Sequence, residues 1–198
     1  MHGRRNPFVA QEGVLPLLLV LLTAVVLIRY SEPAFAMIPA ALLVLLVMVF
    51  RDPHRVVPSV AHGVFSPVDG KVVAVEQITH SATGAPAQRI TIEVDNLGSY
   101  TARSPVEGTI KDLKEKAMWL QTDEGEDVVL RFRGFRLGLA PRALVGFGAR
   151  LGQGQRCAYL RLTRTAEVEL PADARVLVEP GSKVVAGTDL IGNVPGRR

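Results

Sequence analysis

Two uncharged apolar runs near the N-terminus constrain this chain more than any other feature. Residues 13 to 28 read GVLPLLLVLLTAVVLI and residues 34 to 50 read AFAMIPAALLVLLVMVF, with Arg29-Tyr30-Ser31-Glu32-Pro33 between them. Neither run has a polar face, and a helix apolar all round is buried or in lipid. A spanning helix needs ~20 residues, a length each run reaches by borrowing its flanks. Pro16 and Pro39 lie early in their runs, where proline costs least. Arg4 and Arg5 precede the first run as they would precede a signal peptide. No small-x-small cleavage site closes it, however, and a second apolar run follows at once. The sequence therefore predicts a cytoplasmic tail over 1–12 and a transmembrane helical hairpin over about 13–29 and 34–50. Arg4 and Arg5 lie on one side with Arg51, His54 and Arg55, so the positive-inside rule puts both termini in the cytoplasm. This predicts a multi-pass protein of the cell inner (cytoplasmic) membrane, with a cytoplasmic domain over 51–198.

Charge narrows the partners. The net charge is +4 and the pI near 9.6, but the cations are interleaved with acids and no aromatic-studded basic stripe is present. Nucleic acid is excluded on that footprint, and a face toward anionic phospholipid fits better. The single cysteine, Cys157, excludes an internal disulfide and a multi-cysteine metal site. His2, His54, His62 and His80 have no metal-ligand spacing. Asp123 to Asp127, DEGED, lacks the calcium-loop pattern and is expected to be a solvated turn.

From Pro58 onward the text is strands and turns. Residues 70 to 76 (GKVVAVE) and 89 to 94 (RITIEV) alternate β-branched residues with a period of two. The intervening HSATGAPAQ is expected to be a surface hairpin loop containing His80. Residues 111 to 120 (KDLKEKAMWL) read equally as a short helix or a strand entry. Ser66-Pro67-Val68-Asp69-Gly70 recurs as Ser104-Pro105-Val106-Glu107-Gly108, each followed by a strand. Such duplication is expected of a pseudo-symmetric β sandwich or barrel. Residues 148 to 154 and 181 to 187 share G-x-x-[LV]-x-x-G, resembling the turns of "hammerhead" sandwiches such as biotinyl and lipoyl domains. A carrier domain needs a lysine at a hairpin tip in a Met-Lys-Met-like context, and neither Lys71 nor Lys183 has one.

The segments FRDP at 50–53, SPVDGKV at 66–72, ITIEVDNLGSYTARSPVEGTI at 90–110, PRALV, GARLGQGQR and AEVELPADARVLVEPGSKVVAGTDLIG occur in this order. Together they resemble the phosphatidylserine decarboxylase family, in its short bacterial and archaeal type. The resemblance implies a decarboxylase-like β domain behind a membrane-proximal N-terminus. It also implies self-cleavage at a Gly-Ser bond, which makes the serine a pyruvoyl group that serves as electron sink for decarboxylation. Cleavage in that family uses a serine, a histidine base and an aspartate that orients the histidine.

Carried over by position, the aspartate falls on Asp69. The histidine position holds Tyr100, and a phenol with pKa near 10 is a poor base at neutral pH. The Gly-Ser pair falls on Thr163 and Arg164, and arginine cannot yield a pyruvoyl group. Thr163 would give a 2-oxobutyryl group instead. Cys157 lies seven residues before the aligned serine, and Gly181-Ser182 occupies a hammerhead turn. The family's Asn-Glu-Arg motif is absent between Gly108 and Arg142. The sequence thus predicts a non-cleaving pseudoenzyme without cofactor or metal, a lipid-binding or structural subunit of a membrane assembly. The alternative is an active pyruvoyl-type decarboxylase of phosphatidylserine-like lipid, forming phosphatidylethanolamine, with a rewired site.

Overall fold

The computed structural model describes residues 9–30, 33–95, 98–113, 117–135, 141–161 and 163–196. Two compact units divide the chain after His54. The first holds helix α1, Gln11–Tyr30, a 3-10 turn over Pro33–Ala36, and helix α2, Met37–Phe50. The start of α1 lies beside the end of α2: the Ala10 N–H donates to the Phe50 carbonyl at 2.8 Å, and Val9 forms an antiparallel bridge with Arg51. A Cβ on Gly13 would run into the Phe50 ring, so a glycine permits this approach.

Among the described residues one helix, Glu12–Tyr30, is long and apolar enough to cross a membrane. The sequence expectation has two spans, over 13–29 and 34–50, and one helix of spanning length is present among the described residues. The second run spends its first residues on the 3-10 turn, which leaves α2 with 14 residues, short of the ~20 that the hydrocarbon core requires.

The second unit is all β. Its strands are β1 (Gly63–Phe65), β2 (Gly70–Thr79), β3 (Pro86–Val94), β4 (Thr101–Arg103), β5 (Gly108–Asp112), β6 (Ala117–Gln121) and β7 (Asp127–Phe135), followed by β8 (Arg142–Ala143), β9 (Arg150–Leu151), β10 (Arg156–Tyr159), β11 (Thr163–Pro171), β12 (Arg175–Val176), β13 (Lys183–Val184) and β14 (Leu190–Asn193). They form an eight-stranded sheet ordered β13-β2-β3-β11-β7-β6-β5-β9, and two three-stranded sheets, β1-β14-β12 and β4-β10-β8.

The period-two pattern sets the core. Val168 pairs with Ile90 on one side and Leu130 on the other, and Ala166 pairs with Ile92 and Phe132 in the same way. All six are buried, and they join Ile110, Leu120, Leu151 and Leu170 in one cluster. The alternate residues of the same strands carry charge: Arg133 and Arg89 both reach Glu167, at 2.8 and 3.5 Å. Glu169 is fully buried. It accepts from the Ser81 N–H at 2.9 Å and from Arg89 at 3.0 Å.

The duplicated turn is an approximate two-fold in three dimensions. The Phe65 N–H donates to the Pro105 carbonyl at 2.8 Å, and its counterpart Arg103 donates to Pro67 at 2.9 Å. Ser66 and Ser104 each turn a hydroxyl onto the carbonyl two residues on, Val68 and Val106, both at 2.7 Å. The second pair of motifs obeys the same relation. Gly187 donates to Ser66 at 2.8 Å and Gly154 to Ser104 at 2.9 Å; Gly181 donates to Val72 at 2.7 Å and Gly148 to Ile110 at 2.9 Å. Gly70 and Gly108 also share one reason. A Cβ at Gly70 would collide with the Glu93 carbonyl oxygen, and one at Gly108 with that of Gln121.

Three local expectations change. The segment 111–120 is neither one helix nor one strand: it ends β5 and supplies most of β6, with 114–116 outside the described residues. His80 is buried, not on the surface, and its Nδ1 accepts from the Ala82 and Thr83 N–H groups, so it organises its own turn. The acidic turn is only partly solvated. Glu126 is buried, and Asp127 accepts from Trp119 Nε1 at 2.9 Å. No group of three or more metal-ligating side chains occurs among the described residues.

Candidate functional site

Asp69 sits at the apex of the first duplicated turn, with its carboxylate almost entirely out of solvent. The turn chemistry of Pro67 and Gly70 explains where the residue stands, but the carboxylate does not serve the turn. Its Oδ1 accepts from the Ala186 N–H at 2.8 Å. Its Oδ2 accepts from the Ser99 N–H at 3.0 Å and from Arg55 Nη2 at 2.7 Å. One side chain thus joins four separate stretches: the linker after the helices, the turn itself, the loop after β3, and the second hammerhead turn. All three of these contacts reach beyond the Ser66–Gly70 turn. Gly98 is needed beside it, because a Cβ there would come within 2.8 Å of Asp69 Cβ.

The counterpart acid went the other way. Glu107 is exposed and pairs on the surface with Arg150 at 2.9 Å, which also reaches Asp123 at 2.5 Å. These carboxylates raise the Arg150 guanidinium above its ordinary pKa, Glu107 contributing most through its hydrogen bond. Only one half of the two-fold therefore keeps a buried acid.

The other aligned positions lie along one path of backbone hydrogen bonds. Ser99, held by Asp69, precedes Tyr100, and the Tyr100 carbonyl accepts from the Leu160 N–H at 2.7 Å. The Leu160 carbonyl in turn accepts from the Thr163 N–H at 3.2 Å and the Thr163 hydroxyl at 2.5 Å. Arg161, inside that turn, takes φ of 52°, a left-handed conformation that is uncommon for a side chain of this type. Leu162 lies outside the described residues. Asp69, Tyr100 and Thr163 are therefore linked through Ser99 and Leu160. Arg164 opens outward: its side chain is exposed and lies over Gly134.

The other nucleophile candidates are engaged elsewhere. Cys157 is fully buried in β10, and burial pushes its thiol up to about 12, so almost none is thiolate at neutral pH. Ser182 Oγ accepts from the Glu179 N–H at 3.3 Å, a turn contact. Sequence reasoning read Arg55 only as part of the basic flank of the helices and missed it as a partner of Asp69, from which it stands 14 residues away, in the linker.

The curated protein phosphatidylserine decarboxylase proenzyme of Symbiobacterium thermophilum is 32% identical to this chain, over 98% of this chain and 100% of the relative. This chain belongs to the phosphatidylserine decarboxylase family. Proteins of the same name from Nitrosomonas eutropha and Aromatoleum aromaticum are 29% and 28% identical, covering 91% and 96% of this chain and 93% and 97% of theirs. No family model matches the chain. Among solved structures, glucose permease IIA from Mycoplasma capricolum aligns at a TM-score of 0.48 and 15% identity, over 66% of this chain and 93% of that one.

Members of this family carry a pyruvoyl group, and the side chains at the aligned positions do not fit one. Arg164 has no β-hydroxyl to take up the acyl chain as an ester and then be eliminated, and its side chain is directed outward over Gly134. The hydroxyl present at this turn belongs to Thr163, and it is buried.

Proposed function

We propose that this protein acts in phospholipid metabolism at the cytoplasmic membrane, as a decarboxylase of phosphatidylserine-type lipid with a rewired self-processing site. The observation that carries the proposal is the end-to-end match to a phosphatidylserine decarboxylase proenzyme. The Asp69 clamp and the bond from the turn at Leu160 to Thr163 back to Tyr100 support this reading. In this reading Thr163 is the residue that replaces the serine, and the keto-acyl group left at the new N-terminus is 2-oxobutyryl. Asp69 holds the loop that carries Tyr100 against the turn, and α1 anchors the protein, with α2 folding back to complete a hairpin.

A second reading is favoured by one specific observation. With Tyr100 and Arg164 at the base and nucleophile positions, the chain stays whole and binds lipid, or serves as a structural subunit, without chemistry.

Intact mass of the purified full chain separates the two. Two fragments meeting at Leu162 and Thr163, with the smaller one lighter by one ammonia than simple hydrolysis would leave it, establish the first. A Thr163→Ala variant then stays whole. A single uncut chain that releases no carbon dioxide from phosphatidylserine establishes the second.

A further inference from the structure

At the sheet edge that follows Asp69, two lysines stand directly opposite one another. β13 pairs with β2 so that Lys183 faces Lys71, and both are exposed. Like charges facing each other across a strand pair are destabilising. Neither lysine makes an ion pair among the described residues. The approximate two-fold offers an internal control. The matching pair in the other half is Arg150 opposite Thr109, a single cation neutralised by Glu107 and Asp123. Only the half that keeps the buried aspartate sets two cations opposite one another across a strand pair.

These lysines line a groove of about 370 Å³ with Gly70, Glu93, Val94 and Asp95. Glu93 lies on the next strand, directly opposite Lys71. The lining is therefore divided, with two ammonium groups on the edge side and carboxylates on the inner side. A lone phosphate would use only the first half. A molecule carrying a phosphate and an ammonium a few bonds apart would use both. The groove also adjoins the site. Gly70 is the residue after Asp69, and Thr165, two residues beyond Thr163, stands opposite Glu93.

We propose that this groove binds the headgroup of an amino-phospholipid, its phosphate on Lys71 and Lys183 and its ammonium on Glu93. The assignment rests on the lipid-directed function above and names where the headgroup lies.

The test uses the full chain in phosphatidylcholine nanodiscs, titrated calorimetrically with glycerophosphoserine and, separately, with inorganic phosphate. We expect saturable binding of glycerophosphoserine that weakens at least about tenfold, near 1.4 kcal/mol, in the Lys71→Ala/Lys183→Ala variant. Glu93→Gln should weaken glycerophosphoserine and leave inorganic phosphate unchanged. All three side chains lie on the surface, and an unchanged thermal midpoint checks that the variants fold. Absence of binding, or a double variant that binds like the parent, overturns the site. Inorganic phosphate binding as tightly as glycerophosphoserine, with Glu93→Gln silent, overturns the headgroup assignment. Intact mass of the same samples keeps the two ideas apart. An uncut chain that still binds through the lysines upholds the groove while removing the decarboxylase reading.

Discussion

Asp69 accepts three hydrogen bonds, one of them from a guanidinium, and the charge matters as much as the shape. Asparagine has one acceptor oxygen and presents an NH2 group to donors in place of the other. Asp69→Asn should therefore cost about 1–3 kcal/mol by leaving buried donors unmatched, read as a lower urea midpoint with an unchanged slope. It should also loosen the loop that carries Tyr100, so any self-cleavage slows in the same variant. Glu169 gives the pH dependence. Burial works to raise its pKa, but the hydrogen bonds from Ser81 and the Arg89 cation outweigh that and hold the carboxyl below its ordinary value. A depressed folded pKa stabilises above the unfolded value and is lost as pH falls through the folded one. Glu169→Gln should be less stable than the parent at neutral pH, by on the order of 3 kcal/mol for a broken buried pair. The gap should narrow as pH drops below about 4, the ordinary carboxylate range. Urea midpoints at several pH values measure it.

The elements show which parts of the fold local sequence can announce. The period-two runs at 70–76 and 89–94 became β2 and β3, with alternate side chains facing the core in β3 and a bulge between Val72 and Ala74 shifting the pattern in β2. The repeated Ser-Pro-Val-acid-Gly marked two equivalent turns, and the structure adds that the turns bond to each other. That partnership joins Phe65 to Pro105 and Arg103 to Pro67, far apart in the chain, and leaves no local trace. The same holds for Arg55, which reaches Asp69 from a linker that is neither helix nor strand. Residues 111–120 were ambiguous because the stretch contains a strand end, a connection and a new strand. Gly70 and Gly108 test the two-fold directly. Alanine at either should cost more than about 2 kcal/mol, since the clash is with backbone that cannot retreat. Gly84, with φ of 73° and open space around it, should cost only about 1 kcal/mol for the left-handed conformation. Matched losses at Gly70 and Gly108, with a small one at Gly84, would show that both halves are built by one rule.

At the scale of the molecule, the two units raise different questions. The N-terminal unit has one helix of spanning length and one shorter apolar helix, so the topology to be tested is whether one of them, or both, cross a membrane. Alkaline phosphatase fused after Tyr30 should be active, and fused after Arg51 inactive, if the pair forms a hairpin with the β domain in the cytoplasm. Activity at both positions would mean a single crossing. The β unit answers a different question through the place of β11. That strand lies between β3 and β7 near the middle of the eight-stranded sheet, while β13 and β14, later in the chain, pair with β2 and β1. A chain cut just before Thr163 would therefore not come apart. The C-terminal piece would remain woven through four partner strands, β3, β7, β2 and β1, like a dovetail that cannot slide free after its board is sawn. Processing would show on a denaturing gel and be invisible by native mass, and the fresh chain end would be delivered, without diffusion, beside the groove and the clamp.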